Sequence, residues 1–158
     1  MVKGEAPVSD IGERTVAIST LGYKYHMNNV AAAIGLGNIP GYAARLERRR
    51  AIAARYIMEL GQVEGVRHIS RRSDSNGAFW LFPIFVENRE AFGRAMKGRG
   101  IPVSVIDRRI DVHPVFKDGK LDLPGAVWFD ENQIHIPIHE GLTDAEVGQV
   151  IAAVKQGW

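Results

Sequence analysis

Nine residues, 78–86 (AFWLFPIFV), constrain this chain more than any other stretch. Aromatic and β-branched side chains dominate them, which predicts a strand buried on much of both faces. Pro83 has no N–H and removes one ladder bond, so an edge position or a bulge is expected there. No stretch approaches the roughly 18 unbroken apolar residues that span a membrane. At 158 residues, the chain is long enough for one compact domain with a real hydrophobic core. The sequence contains no cysteine, which excludes disulfides, zinc thiolates and cysteine nucleophiles. The formal net charge of +2 leaves no electrostatic footprint for nucleic acid. A soluble, cytoplasmic protein without nucleic-acid or membrane partners is the expectation.

The first fifteen residues, MVKGEAPVSDIGERT, lack the apolar stretch of a signal peptide and read as a flexible lead-in. Residues 16–158 read as a single domain. Asn28 or Asn29 offers an N-cap for a helix over VAAAIGLGNI, and Pro40-Gly41 breaks it. A second helix starts at Tyr42. Its apolar positions Leu46, Ala53, Tyr56, Ile57 and Leu60 recur at helical spacing, and Gly61 closes it. A short strand near 66–69, the polar loop RRSDSNG and the strand 78–86 follow. Asn88 then caps a helix ended by Gly98 and Gly100, and residues 101–106 read as a further strand. Residues 107–132, with Pro114, Gly119, Pro124 and Gly125, form a loop of functional or interface length. QIHIPI is a strand. Thr143 and Glu146 make a capping box before Val147, Val150, Ile151 and Val154, a closing amphipathic helix. The sum is an α+β fold: a small, mostly antiparallel sheet with helices packed on one face.

No catalytic residue emerges from this pattern. His135 and His139 are four apart, but Pro137 lies between them in a strand, so no metal site is expected. Arg45, Arg48, Arg49, Arg50 and Arg55 are interrupted by Glu47 and read as a solvated helix face. The glycines of GLG (35–37) and GRG (98–100) mark helix ends rather than a phosphate cradle. Core packing is the expected role of Trp80. Two segments stand out. In GYKYHMNN, Lys24 adds positive charge just before a helix N-terminus, which favours anions. In DRRIDVHPVF, Asp107, Arg108, Arg109, Asp111 and His113 crowd the long loop, and the Asp-x-His spacing either binds a polar ligand or is ion-paired.

GYKYHMNNVAAAIGL, followed by ERRRAIAARY, resembles the DegT/DnrJ/StrS family of sugar aminotransferases. FWLFPIFV, MKGRGIPVS, DVHPVF and IHIPIHEGLTDAEVGQVIAAVK resemble later landmarks of that family, in order, so the resemblance covers residues 11–156. It implies the C-terminal portion of a fold type I enzyme that uses pyridoxal phosphate (PLP) to move an amino group from glutamate to a keto-sugar nucleotide. A lysine of the large N-terminal domain holds that cofactor as a Schiff base. The lysines here are Lys3, Lys24, Lys97, Lys117, Lys120 and Lys155, and none lies in the family's lysine motif. The resemblance therefore implies no transamination and no bound cofactor for these residues alone. It places Lys24 at the cofactor phosphate of a neighbouring subunit and Asp111 and His113 along the sugar-nucleotide site, while His26 replaces a frequent arginine. Without the large domain, the helix positions Val30, Ala33, Ile34 and Ile39 expose apolar surface, so a homo-oligomer or a complementing chain is expected. A non-catalytic module, binding a nucleotide sugar or oligomerising, is the alternative.

Overall fold

The computed structural model describes residues 25–72, 74–106, 109–113 and 122–158. The chain divides into two compact units, Met1–Pro40 and Gly41–Trp158. In the first, α1 (Asn29–Asn38) is capped by Asn28, whose side chain accepts from the Ala31 N–H at 2.8 Å. None of its residues is buried. Val30, Ile34, Leu36 and Ile39 are 62–70% exposed.

In the second unit, α2 (Tyr42–Leu60) starts at Gly41, whose φ of 75° suits a residue without Cβ. Ile52, Ala53, Tyr56 and Leu60 are its buried stripe. Strands β1 (Val66–His68), β2 (Phe82–Val86) and β3 (Gln133–Ile136) form one antiparallel sheet in the order β1-β2-β3. Phe82, Ile84 and Val86 point into the core. Between β2 and β3 lie α3 (Arg89–Gly98), capped by Asn88, and α4 (Pro124–Asn132). Phe85, on the other face of β2, meets Trp128 and Phe129 of α4 at ring-centroid distances of 4.9 and 5.4 Å. Both faces of β2 are therefore covered, as its composition predicts.

Pro83 departs from expectation. It sits in the central strand, opposite His135. His135 exchanges both of its backbone bonds with Ser104, at 2.8 and 3.2 Å, so it faces Pro83 across a non-hydrogen-bonded pair. Alternation then turns the Pro83 nitrogen toward β1. That strand ends at His68, whose partner is Ile84, one residue short of needing the missing N–H. Residues 101–106 are not a strand either. Only Ser104 bridges β3, because the Ile101 N–H is committed to Met96 O and Pro102 has none to give. Finally, the stretch read as one loop contains a 3-10 turn, Ile110–Val112, as well as α4. Pro124 stands at the start of α4, where its fixed φ and missing N–H cost nothing.

The last helix, α5 (Asp144–Lys155), carries the expected capping box: Thr143 and Glu146 satisfy each other's backbone N–H. Val147, Val150, Ile151, Ala153 and Val154 pack into the core with α2 and the sheet. The α2 arginines are mostly committed. Arg48 pairs with Asp144 and Arg49 with Glu140, each at 2.7 Å, Arg50 with Glu47 at 3.0 Å and Arg55 with Glu59 at 2.8 Å. Among the described residues, no helix is long and apolar enough to cross a membrane.

Candidate functional site

Arg109, Asp111 and His113 lie on and beside the 3-10 turn Ile110–Val112. Arg109 grips both oxygens of Asp111, with its Nε 3.0 Å from Oδ1 and its Nη2 on Oδ2. The two side chains are only 21% and 19% exposed. The Arg109 backbone N–H donates to Asp130 Oδ1 of α4 at 3.3 Å, which ties the turn to that helix. The Arg109 guanidinium holds the Asp111 carboxyl below its ordinary value by hydrogen bonding. His113 closes the turn, donating its N–H to Ile110 O at 3.1 Å, and its side chain is exposed. The fold thus brings Asp111 and His113 onto one small turn, with the ion pair realised at Asp111. Lys24, Asp107 and Arg108 lie outside the described residues. His26 is exposed.

No group of three or more His, Cys, Asp or Glu side chains is placed to hold a metal ion among the described residues. His135 is buried in β3, while His139 is exposed beyond it. Lys97 and Lys155 are the described lysines. Lys155 pairs with Glu59 at 3.1 Å, and Lys97 is exposed in the last turn of α3. A Schiff-base lysine needs an enclosed site, and neither amine has one.

Sequence reasoning missed Trp80. It is 71% exposed rather than packed in the core. Its neighbour Phe79 adopts φ 50°, turns inward and stacks on Phe82 with centroids 6.3 Å apart, which leaves Trp80 outside. There it borders a groove of about 250 Å³ lined also by Pro102, Ser104, Ile106, His135 and Pro137. Counting back by twos from Phe82 puts Trp80 on the core face, so alternation alone conceals it.

A family model for DegT/DnrJ/EryC1/StrS aminotransferases matches residues 6–155. The sugar aminotransferase CalS13 of Micromonospora echinospora is 36% identical and superposes with a TM-score of 0.82, over 87% of this chain and 37% of its own. The PLP form of Spr1654 from Streptococcus pneumoniae is 26% identical, with a TM-score of 0.74 over 89% of this chain and 38% of its own. An uncharacterized protein of Methanocaldococcus jannaschii is 30% identical in an alignment that covers 85% of this chain and 38% of that protein. The chain therefore spans well under half the length of these relatives. With the family model matching from residue 6 to residue 155, the chain belongs to the DegT/DnrJ/EryC1/StrS aminotransferase family.

Proposed function

We propose that the chain is the C-terminal portion of a sugar-nucleotide aminotransferase, and that these 158 residues do not transfer an amino group by themselves. The observation that carries the reading is the likeness to a sugar aminotransferase across 87% of this chain but only 37% of that enzyme. The described lysines support the second half, since one is ion-paired and the other lies open to solvent. In this reading, sequence outside these residues supplies the lysine that holds PLP. Asp111 and His113 face the nucleotide sugar, with Arg109 orienting the Asp111 carboxylate. Lys24 serves the cofactor phosphate, and the protein is cytoplasmic.

The reading also includes a partner. The large apolar residues of α1, Val30, Ile34 and Leu36, are 62–70% exposed, and a second copy or a complementing chain covers them. A binding module without chemistry is the second reading; the turn at Asp111 favours it, because it is pinned to α4 by this chain's own residues.

Mixing the protein with PLP and recording the near-visible spectrum tests the central claim. We expect the spectrum of free cofactor and no lysine labelled by borohydride. Specific reduction onto one lysine would overturn the claim of inactivity. Calorimetry with a nucleotide sugar should give saturable heat that Asp111→Ala and His113→Ala abolish, and silence would reject both residues as contacts. A clean monomer at micromolar concentration in sedimentation would reject the second copy.

A further inference from the structure

The left-handed backbone at Phe79 does more than displace Trp80. A φ of 50° is rare for a bulky side chain and persists only where surrounding contacts over-determine it. Those contacts are present. The Phe79 ring stacks on Phe82 with an interplanar angle of 23°, and the Arg71 guanidinium lies 4.2 Å over it. Phe79 is clamped, so Trp80 is held outward at the mouth of the groove.

Of the polar side chains that line the groove, Ser104 is exposed and His135 is buried and held in place, so His135 does most to fix what the groove can accept. His135 is 6% exposed, and its Nδ1 lies 3.2 Å from Ser104 O. A carbonyl only accepts, so Nδ1 is the donor, and in the tautomer this selects Nε2 is the lone-pair acceptor. Nε2 has no partner among the described residues. Leu81, Pro102, Val103, Ile106, Pro137 and Ile138 add apolar walls. At about 250 Å³, the groove falls below the roughly 300–1,000 Å³ that encloses a drug-sized ligand. It fits one ring rather than a whole nucleotide sugar.

We infer that this groove is a subsite for one ring of a nucleotide sugar, with Trp80 stacked on the flat face of the ring and His135 Nε2 accepting from an N–H or O–H on its edge. The choice of nucleotide sugar rests on the function proposed above; the ring and its edge donor rest on the groove. A nucleobase and a hexose share that chemistry, a flat face with a donor at the rim.

The test uses the 158-residue chain, labelled with nitrogen-15 and free of PLP, titrated separately with UDP-glucose, uridine and methyl glucoside. The indole N–H of Trp80 and the amides of Ser104 and Ile106 should shift saturably with UDP-glucose and with one or both of its parts. A response to uridine identifies the base, and a response to methyl glucoside identifies the hexose. Trp80→Ala should weaken binding by roughly 5- to 150-fold, the range for losing one stacked ring. Trp80→Phe, which keeps a ring, should restore most of it. Trp80 is exposed, so neither variant endangers the fold. Absence of saturable shifts up to about ten times a ~1 mM Kd, or shifts indifferent to Trp80→Ala, would overturn the inference. With no cofactor in the tube, failure here leaves the PLP result standing, and failure there leaves this one standing.

Discussion

Removing one buried hydroxyl should change both how stable the second unit is and how that stability responds to alkali. Tyr56 is fully buried in α2, and its hydroxyl donates to Pro137 O at 2.8 Å. Burial pushes its pKa up to about 12, against a smaller opposing pull from Arg55. At pH 7, Tyr56→Phe loses one net hydrogen bond, about 1 kcal/mol, and more to the extent that the Pro137 carbonyl is left dry. Pro137 is half-buried, so a loss of about 1.5 kcal/mol is expected. The folded value lies above the unfolded ~10, so the wild-type contribution is complete below pH 10 and is lost as pH rises toward 12. Linkage puts the loss at up to about 1.4 kcal/mol by pH 11, and solvent screening trims that to about 1. The phenylalanine variant has nothing to titrate there. Urea unfolding followed by circular dichroism at pH 7, 10 and 11 measures the gap, and the other lysines and tyrosines cancel in the difference. The two proteins should differ at pH 7 and nearly converge by pH 11. Parallel curves from pH 7 to 11, or a variant more stable than wild type at pH 7, would refute the account.

Thr143→Ala breaks the capping box and should cost about 1 kcal/mol, a fall in Tm of roughly 2–4 °C by calorimetry for a chain of this size. Trp158→Ala removes an indole bond to Glu87 O at 2.7 Å and an edge contact with Phe92 at 5.1 Å; a loss of about 1–3 kcal/mol is expected in urea unfolding. The Asp111 carboxyl is depressed by Arg109, so its ion pair holds above the unfolded pKa and dissolves as acid carries the pH through the folded one. Carbon-detected titration should place Asp111 below the ordinary ~3.9, and Arg109→Gln should bring it back up; an Asp111 midpoint at or above that value in the native protein would contradict the geometry.

Features set by local chemistry were legible in the sequence. The capping box of α5, the asparagine caps of α1 and α3 and the break at Pro40-Gly41 each depend on a few adjacent residues, and all are found. What failed depends on distant neighbours. Whether Pro83 is tolerated in a central strand turns on where β1 stops, which Pro83 does not encode. Pro124-Gly125 is as good a helix start as a helix stop, and the deciding contact, Phe85 against Trp128 and Phe129, spans more than forty residues. The site was half legible. Asp111 and its arginine neighbours are visible in the chain, and ion pairing was one of two open readings. The Asp130 side chain that pins Arg109 comes from an element read as loop. Trp80 was misplaced because one backbone angle at Phe79 breaks the alternation from which its side was read.

The energetics of the second unit separate its fold from its family's chemistry. Its buried apolar residues all lie between Ile52 and Val154. The ion pairs of α2 tie that helix to the α5 cap and the turn before it through Asp144 and Glu140. Arg48 also donates to Leu142 O, and Arg55 to Asp144 O at 3.0 Å, so the arginines act on the start of α5 as backbone ligands as well as charges. None of these contacts uses Asp111, His113 or Trp80. Substitutions at those three positions therefore fall outside the interactions that hold the core together. His113→Ala and Trp80→Ala should leave the unfolding midpoint nearly unchanged, so loss of ligand response in them reports the site itself. Asp111→Ala instead strands the Arg109 guanidinium and should lower the midpoint modestly. Were one of the three to unfold the protein, the division drawn between scaffold and site would be wrong at that residue.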